Sequence, residues 1–408
     1  MVAPSSASIF RHRPFTLFLL SRVFSNLAFQ LQVVAVGWQV YGMTGSAFAL
    51  GMVGLAEFVP ALLLAFVVGH VADRFDRRRI VQLSQLVQGS AIAGLAIGSF
   101  LGGLTVNWVF VAVFVIGAAG AFVAPTRQAM LPTLVPPNLL PRALSWSSTF
   151  GEASVICGPA LGGLLYAISP SAVYAVSVVL IALSIGAIAL IRMERVPAGR
   201  EPISLSSILA GVSFIRSRPE LLGAISLDLF AVLLGGATAL LPIFAHDILA
   251  VGPWGLGVLR SAPAVGALGM SFVLTQIPLT RRVGRIMFAS VAVFGLATIA
   301  FALSTSFWLS VACLAVLGAA DSISMIIRGS LVQLQTPNEM QGRVGAVYFI
   351  FIGTSNELGE FESGVTAGWF GAVPAAVLGG IGTLLVVLIW MRAFPALLEH
   401  DRLEAPAE

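Results

Sequence analysis

Residues 69–79 read Gly69-His70-Val71-Ala72-Asp73-Arg74-Phe75-Asp76-Arg77-Arg78-Arg79. This charged stretch is bounded by two predominantly apolar runs, 48–68 and 80–101. Each run meets the length of about 20 residues that a helix needs to cross a bilayer. The charged stretch is therefore a tight loop joining two spanning helices.

The same alternation continues in both directions. Apolar segments are expected at 15–41, 48–68, 80–101, 105–126, 144–168, 171–191, 221–245, 253–277, 284–303, 307–327, 345–368 and 372–393. Turn chemistry separates them at Gly42 to Ser46, Leu101 to Thr105, Ser169-Pro170-Ser171, Gly252-Pro253 and Gly371 to Pro374. A β-barrel would alternate apolar and polar residues along each strand, which these unbroken runs do not. The first segment follows Arg11-His12-Arg13 and so imitates a secretion signal. It is too long for one, and it carries Arg22, Asn26, Gln30 and Gln32.

Composition agrees. The 408 residues are 58% hydrophobic and only 10% charged, and the mean hydropathy is +0.98. A soluble domain is about 25% charged. These values exclude a soluble enzyme, a disordered chain and a nucleic-acid binder. The net charge is +4, and every basic residue is Arg. Numbering the loops alternately sends Arg11, Arg13, Arg74, Arg77, Arg78, Arg79, Arg142, Arg195, Arg200, Arg216, Arg218, Arg281, Arg282, Arg285, Arg343 and Arg402 to one side and no arginine to the other. Arginine marks the cytoplasmic side, so the expected fold is an all-α membrane protein with twelve spanning helices and both termini cytoplasmic.

The chain divides into a cytoplasmic segment 1–14, a six-helix half 15–191, a central loop 192–220, a second six-helix half 221–393 and a tail 394–408. Within the central loop, Ile203, Ile208, Leu209, Val212 and Ile215 are spaced for a short helix on the membrane surface. The halves read as repeats. Gly117 and Arg127 match Gly318 and Arg328, 201 positions on; Pro137-Asn138 matches Pro337-Asn338, 200 on. Gly54-x-x-Glu57-x-x-Pro60 matches Gly257-x-x-Arg260-x-x-Pro263, 203 on. Parallel six-helix repeats are a recurrent transporter architecture.

The loop Gly69-x-x-x-Asp73-Arg74-x-x-Arg77-Arg78, between the second and third spans, resembles the signature of the major facilitator superfamily. Asp76 stands where many members have Gly, and the matching loop of the second half is reduced to Thr280-Arg281-Arg282-Val283-Gly284-Arg285. Gly158-Pro159-Ala160-Leu161-Gly162-Gly163 in the fifth segment is similar to that superfamily's exporter element. The Pro125-Thr126-Arg127 to Pro136 stretch and the signature loop together resemble the branch of siderophore exporters and macrolide efflux proteins. The resemblance implies two halves around a central cavity, alternating access, and a latch in which the loop arginines pair with Asp73. It also implies that the first, fourth, seventh and tenth helices line the cavity. Arg22, Asn26, Gln30 and Asp228 are then cavity candidates, and Arg127 and Arg328 matched gate positions. A charge pair between Arg260 and Glu152 across the halves is expected, with Glu57 a further contact.

Ionisable groups inside a bilayer are costly, about 2.5–3.5 kcal/mol each on insertion scales. Glu357, Glu360, Asp321 and Glu152 are therefore candidates for proton coupling. Glu357 and Glu360 share a helix face, and two nearby carboxylates in a low dielectric do not both ionise cheaply. The expected function is a proton-coupled exporter of a small organic molecule, drug-like or a siderophore, acting as a monomer in the bacterial inner membrane. An importer on the same fold and a non-transporting sensor or scaffold are the competing readings. The partners expected are the lipid bilayer, a small-molecule substrate and protons, with no nucleic acid. Cys157, Cys313, His12, His70, His246 and His400 are scattered, so no cofactor and no metal site is expected. No phosphate-binding loop motif occurs and no enzyme activity is expected.

Overall fold

A computed structural model describes residues 6–192, 205–277, 279, 281–337 and 339–401; within them the side chains of 6–8, 65, 66, 69, 70, 72, 73, 205–208 and 349 are not described. The described residues form helices joined by short turns, without strands. The helices are α1 (Arg13–Thr44), α2 (Ala47–Arg74), α3 (Arg77–Phe100), α4 (Val106–Met130), α5 (Leu140–Ile168), α6 (Pro170–Ala189), α7 (Leu205–Ser217), α8 (Pro219–Leu234), α9 (Leu241–Ile243), α10 (Gly252–Gln276), α11 (Val283–Leu303), α12 (Phe307–Gln335), α13 (Gln341–Phe370), α14 (Ala372–Ala393) and α15 (Pro395–Glu399).

Local chemistry sets the helix ends. The Asp76 carboxylate accepts from the Arg78 amide at 2.9 Å and starts α3, while the Ser169 hydroxyl accepts from the Ala172 amide at 3.0 Å and starts α6, with Pro170 at its first position. Gly45 (φ +58°) turns α1 into α2, and Gly371 (φ +90°) turns α13 into α14. Both conformations suit a residue without Cβ.

Eleven helical stretches of the described residues are long and apolar enough to cross a membrane. The 30-residue α13 is not among them, because Glu357, Glu360 and Glu362 interrupt its apolar run. The segment expected at 221–245 is not one continuous helix. It breaks after Leu234 at Gly235-Gly236 and continues as tighter and wider turns to Ile248. The glycines press into a neighbour here: a Cβ on Gly236 would sit 2.6 Å from the Gly359 carbonyl oxygen of α13. The Ala231 carbonyl just before the break accepts from the Gly235 amide at 2.9 Å and from the Thr383 hydroxyl of α14 at 3.1 Å, which ties the break to a neighbouring helix.

The chain forms two compact units, Met1–Thr44 with Ala56–Pro202, and Gly45–Leu55 with Ile203–Glu408. In the first, α1 packs on α5 and α6, and α3 packs on α4 and α6. In the second, α8 packs on α13 and α14, and α11 packs on α12 and α14. The two patterns correspond helix for helix. A backbone contact aligns them at single-residue level. The Ser177 hydroxyl donates to the Ala28 carbonyl at 3.4 Å in the first unit, and the Thr383 hydroxyl donates to the Ala231 carbonyl in the second. Ala28 and Ala231 are 203 positions apart.

Because lipid tails are as apolar as Leu, helices in a bilayer associate through close packing of small residues. The second unit has such a seam between α10 and α12. A Cβ on Gly266 would overlap the Ala315 carbonyl, and one on Gly318 would overlap the Pro263 carbonyl. The first unit repeats it where Gly117 meets the Glu57 backbone. In the second unit, Gly51 at the start of α2 crosses Gly364 of α13 so closely that a Cβ on Gly364 would lie 2.5 Å from the Gly51 Cα. The amphipathic α7 lies against α13, with Gly211 seated on the Arg343 backbone. Ile203 falls outside the described residues. In the tail, α15 buries Leu397, and the Val283 and Gly284 amides donate to the Asp401 and His400 carbonyls.

Candidate functional site

In the signature loop, Arg77 donates to the Ala129 carbonyl at 2.9 Å and Arg78 to the Ile191 carbonyl at 2.8 Å. Ala129 lies in the last turn of α4, and Ile191 follows α6, where unpaired carbonyls and the helix dipole attract a cation. Arg74 is exposed. Asp76 acts as the α3 cap, a physical reason for an acid where Gly is common. The side chains of Gly69 and Asp73 lie outside the described residues, so the acid of the expected latch is not placed. Asp76→Ala is expected to cost about 0.5–2 kcal/mol of stability, measured as a small fall in the unfolding midpoint.

In the first unit a polar cluster joins five helices. Arg127 of α4 is 7% exposed. Its guanidinium donates to the Ser25 hydroxyl at 2.5 Å, to the Ser21 hydroxyl at 3.2 Å and carbonyl at 3.4 Å, and to the Ser184 hydroxyl at 3.3 Å. Its Nε has no hydrogen-bond partner among the described residues. Gln85 of α3 donates to the Ser184 hydroxyl at 2.7 Å. Arg22, one residue past Ser21, donates to the Ser147 hydroxyl of α5 at 2.6 Å. It lies within electrostatic reach of both Glu152 and Arg127, the first attractive and the second repulsive. Gly151 makes room for it: a Cβ there would sit 3.3 Å from the Arg22 guanidinium. Arg22 and Asn26 are half-buried and Glu152 is exposed.

The Gly-Pro-x-x-Gly-Gly element of α5 is pressed onto α1. A Cβ on Gly158 would lie 2.5 Å from the Gln30 Cβ, and one on Gly162 would lie 3.1 Å from the Leu31 Cα. Pro159 and Gly163 are buried within the same continuous helix.

In the second unit, Asp228 of α8 and Arg328 of α12 form a buried ion pair, 6% and 3% exposed. The Arg328 Nε donates to the Tyr348 hydroxyl at 3.0 Å, and the guanidinium lies 5.5 Å from the Tyr348 ring centroid. The residue expected to line a cavity and the one expected to gate it are thus each other's partners. Their spacing of 100 residues gives no local signal of this.

Asp321 is half-buried on α12. Glu360 of α13 lies within electrostatic reach of Arg260 of α10, and its Oε2 occupies the space left by Gly54, 3.2 Å from where a Cβ would stand. Glu362 accepts from the Thr366 hydroxyl at 2.7 Å. Glu357 is half-buried one turn before Glu360. The expected pairing of Arg260 with Glu152 joins residues of different units; within its own unit Arg260 faces Glu360, and Glu152 faces Arg22. The helical break at Gly235-Gly236 abuts Gly359, next to Glu360. Sequence reading missed this break, although the double glycine in an apolar run was its signal. Among the described residues no group of three His, Cys, Asp or Glu is placed to hold a metal ion.

A family profile described as transmembrane secretion effector matches residues 4–405. An enterobactin exporter of Citrobacter koseri is 27% identical over 394 residues, covering 93% of this chain and 91% of the relative. The enterobactin exporter of Shigella boydii serotype 18 is 26% identical over 396 residues, covering 94% of each chain. A bacterial homologue of the human lysosomal transporter Spinster superposes with a TM-score of 0.72 at 13% identity, over 95% of this chain and 96% of the other. A POT family transporter superposes with a TM-score of 0.75 at 11% identity, over 94% and 96%.

Proposed function

The chain belongs to the transmembrane secretion effector family of multi-pass membrane transporters, and from that premise we propose that it exports a small organic molecule in exchange for protons, by alternating access. In this reading α13 also spans and brings the number of spanning helices to twelve, and the arginine-rich loops and both termini face the cytoplasm of a bacterium whose inner membrane holds the protein as a monomer. The relatives are named as exporters of enterobactin, which makes a siderophore the first cargo to test and drug-like amphiphiles the second.

The observation that carries proton coupling is Glu360. A carboxylate in an apolar helix holds its charge only while a cation stabilises it. Arg260 supplies that cation from α10. Proton loading of Glu360 releases Arg260, and deprotonation recaptures it, so the two protonation states favour different packing of α10 and α13. Glu357, one turn away, crowds the same face and favours a shared proton. Asp321 and Glu152 are the remaining coupling candidates. Gly158, Pro159, Gly162 and Gly163 support the reading as a close α1–α5 contact that slides without side-chain obstruction. Arg74, Arg77 and Arg78, with Gly69 and Asp73, form the cytoplasmic latch of the proposed cycle.

The test is purified protein in vesicles carrying a pH dye, challenged with enterobactin and then with a panel of amphiphilic drugs. Wild type is expected to move protons on addition of cargo, and Glu360→Gln to fall to the level of empty vesicles while still binding cargo. Proton movement that survives both Glu360→Gln and Glu357→Gln would defeat the coupling assignment. Cargo accumulation in the opposite direction under the same gradient would make the protein an importer.

A further inference from the structure

The two units use the same arginine differently. Arg127 and Arg328 are 201 positions apart on corresponding helices. The Ala28 and Ala231 carbonyls, which accept equivalent hydroxyls, set the α1-to-α8 offset at 203. At that offset Ser25 corresponds to Asp228. The contact is also the same, since Arg127 donates to Ser25 and Arg328 pairs with Asp228. The second unit therefore neutralises its buried guanidinium with a carboxylate. The first places a hydroxyl there and adds a second cation, Arg22, close enough to repel Arg127. Glu152 offsets part of this from beside Arg22. Among the described residues of this cluster, two guanidiniums face one carboxylate, which leaves one positive charge in excess in a place where uncompensated charge is expensive.

Neutral hydroxyls do not discharge a buried guanidinium, and the Arg127 Nε has no hydrogen-bond partner among the described residues. Planar donor forks such as these match a carboxylate or another oxyanion. Arg22 is half-buried and Glu152 beside it is exposed, so the cluster reaches the accessible surface through Arg22.

We propose that Arg127 and Arg22 form an oxyanion-binding subsite in the first unit, and that the transported molecule docks there through a carboxylate or a comparable anionic oxygen. The identity of the anion as cargo rests on the exporter reading; the binding itself does not.

Binding is measured by equilibrium dialysis of labelled benzoate against the full chain in phosphatidylcholine nanodiscs, with benzamide as the neutral isostere. Wild type is expected to bind benzoate and not benzamide. Arg127→Gln and Ser25→Asp are each expected to weaken benzoate binding by about tenfold or more, the scale of a lost charge-assisted contact. Ser25→Asp tests the reasoning most sharply, because it supplies the carboxylate that the other unit already has and should leave a protein that elutes as a folded monomer. Should it fail to fold, Arg127→Gln carries the test alone. Equal binding of benzamide, absence of benzoate binding, or binding unchanged in both variants would overturn the proposal. Nanodiscs containing phosphatidylglycerol distinguish the source of the anion: suppression of benzoate binding there assigns the subsite to a lipid headgroup and overturns its role for cargo. Competition by inorganic phosphate without a lipid effect supports a soluble ligand. Benzoate binding with no cargo flux in vesicles would sink the exporter reading and leave the subsite standing. Flux without benzoate binding would do the reverse.

Discussion

Asp228→Ala, with Arg328 left in place, is expected to lower stability by about 3–5 kcal/mol, the usual consequence of stranding one member of a buried ion pair. Both side chains are almost fully enclosed. Without the carboxylate, the Arg328 guanidinium keeps, among the described residues, the Tyr348 hydroxyl and ring, and neither carries the countercharge. The reading is the thermal unfolding midpoint in detergent, followed by tryptophan emission. The double variant Asp228→Leu with Arg328→Leu is expected to recover most of the loss, since an apolar pair of similar volume commonly replaces a buried ion pair without penalty. A single variant as stable as wild type, or a double variant no better than the single, would show that the pair is not what holds α8 to α12.

Gly318→Ala is expected to be nearly as disruptive, although it adds one methyl group. That methyl would overlap the Pro263 carbonyl of α10, and a backbone oxygen does not rotate aside as a side chain does. The helices must separate, and the reciprocal contact of Gly266 with the Ala315 carbonyl separates with them. Overpacking of this kind costs about 1–3 kcal/mol, and in a bilayer no hydrophobic force between helices compensates for lost packing. Gly269 lies one turn beyond Gly266 on the same helix with nothing within 4 Å of a Cβ. Gly269→Ala is therefore expected to be neutral or to stabilise by about 0.4–1 kcal/mol through the unfolded state. Opposite signs for two Gly-to-Ala changes, read as unfolding midpoints, check the seam directly. Equal effects at both positions would refute it.

How much was legible follows from the range of each signal. Helices and their ends were readable because their causes are local. Apolar runs of spanning length, Ser169-Pro170 and Gly371 act within a few residues of themselves. The repeat was readable because spacing survives in the linear chain. Asp76 was visible as a departure from a family pattern, and its reason, a cap on α3, needs only two residues. The list of charged candidates was also readable, since any ionisable residue in an apolar run stands out by cost alone.

What the chain could not disclose by itself was which of those charges meet. Asp228 and Arg328, Arg127 and Ser25, and Glu360 and Arg260 are each separated by about 100 residues in sequence, and helix periodicity states a face without stating its neighbour. The unwinding at Gly235-Gly236, the crossing of Gly51 with Gly364 and the grouping of Gly45–Leu55 with the second unit are likewise products of close backbone approach. Apolar patterning and arginine placement act residue by residue against the bilayer, so the amino-acid sequence alone determined a polytopic helical transporter and its repeat. Charge compensation acts between helices across a low dielectric. Only the tertiary structure decided that one unit pairs its buried arginine with a carboxylate and the other surrounds it with hydroxyls.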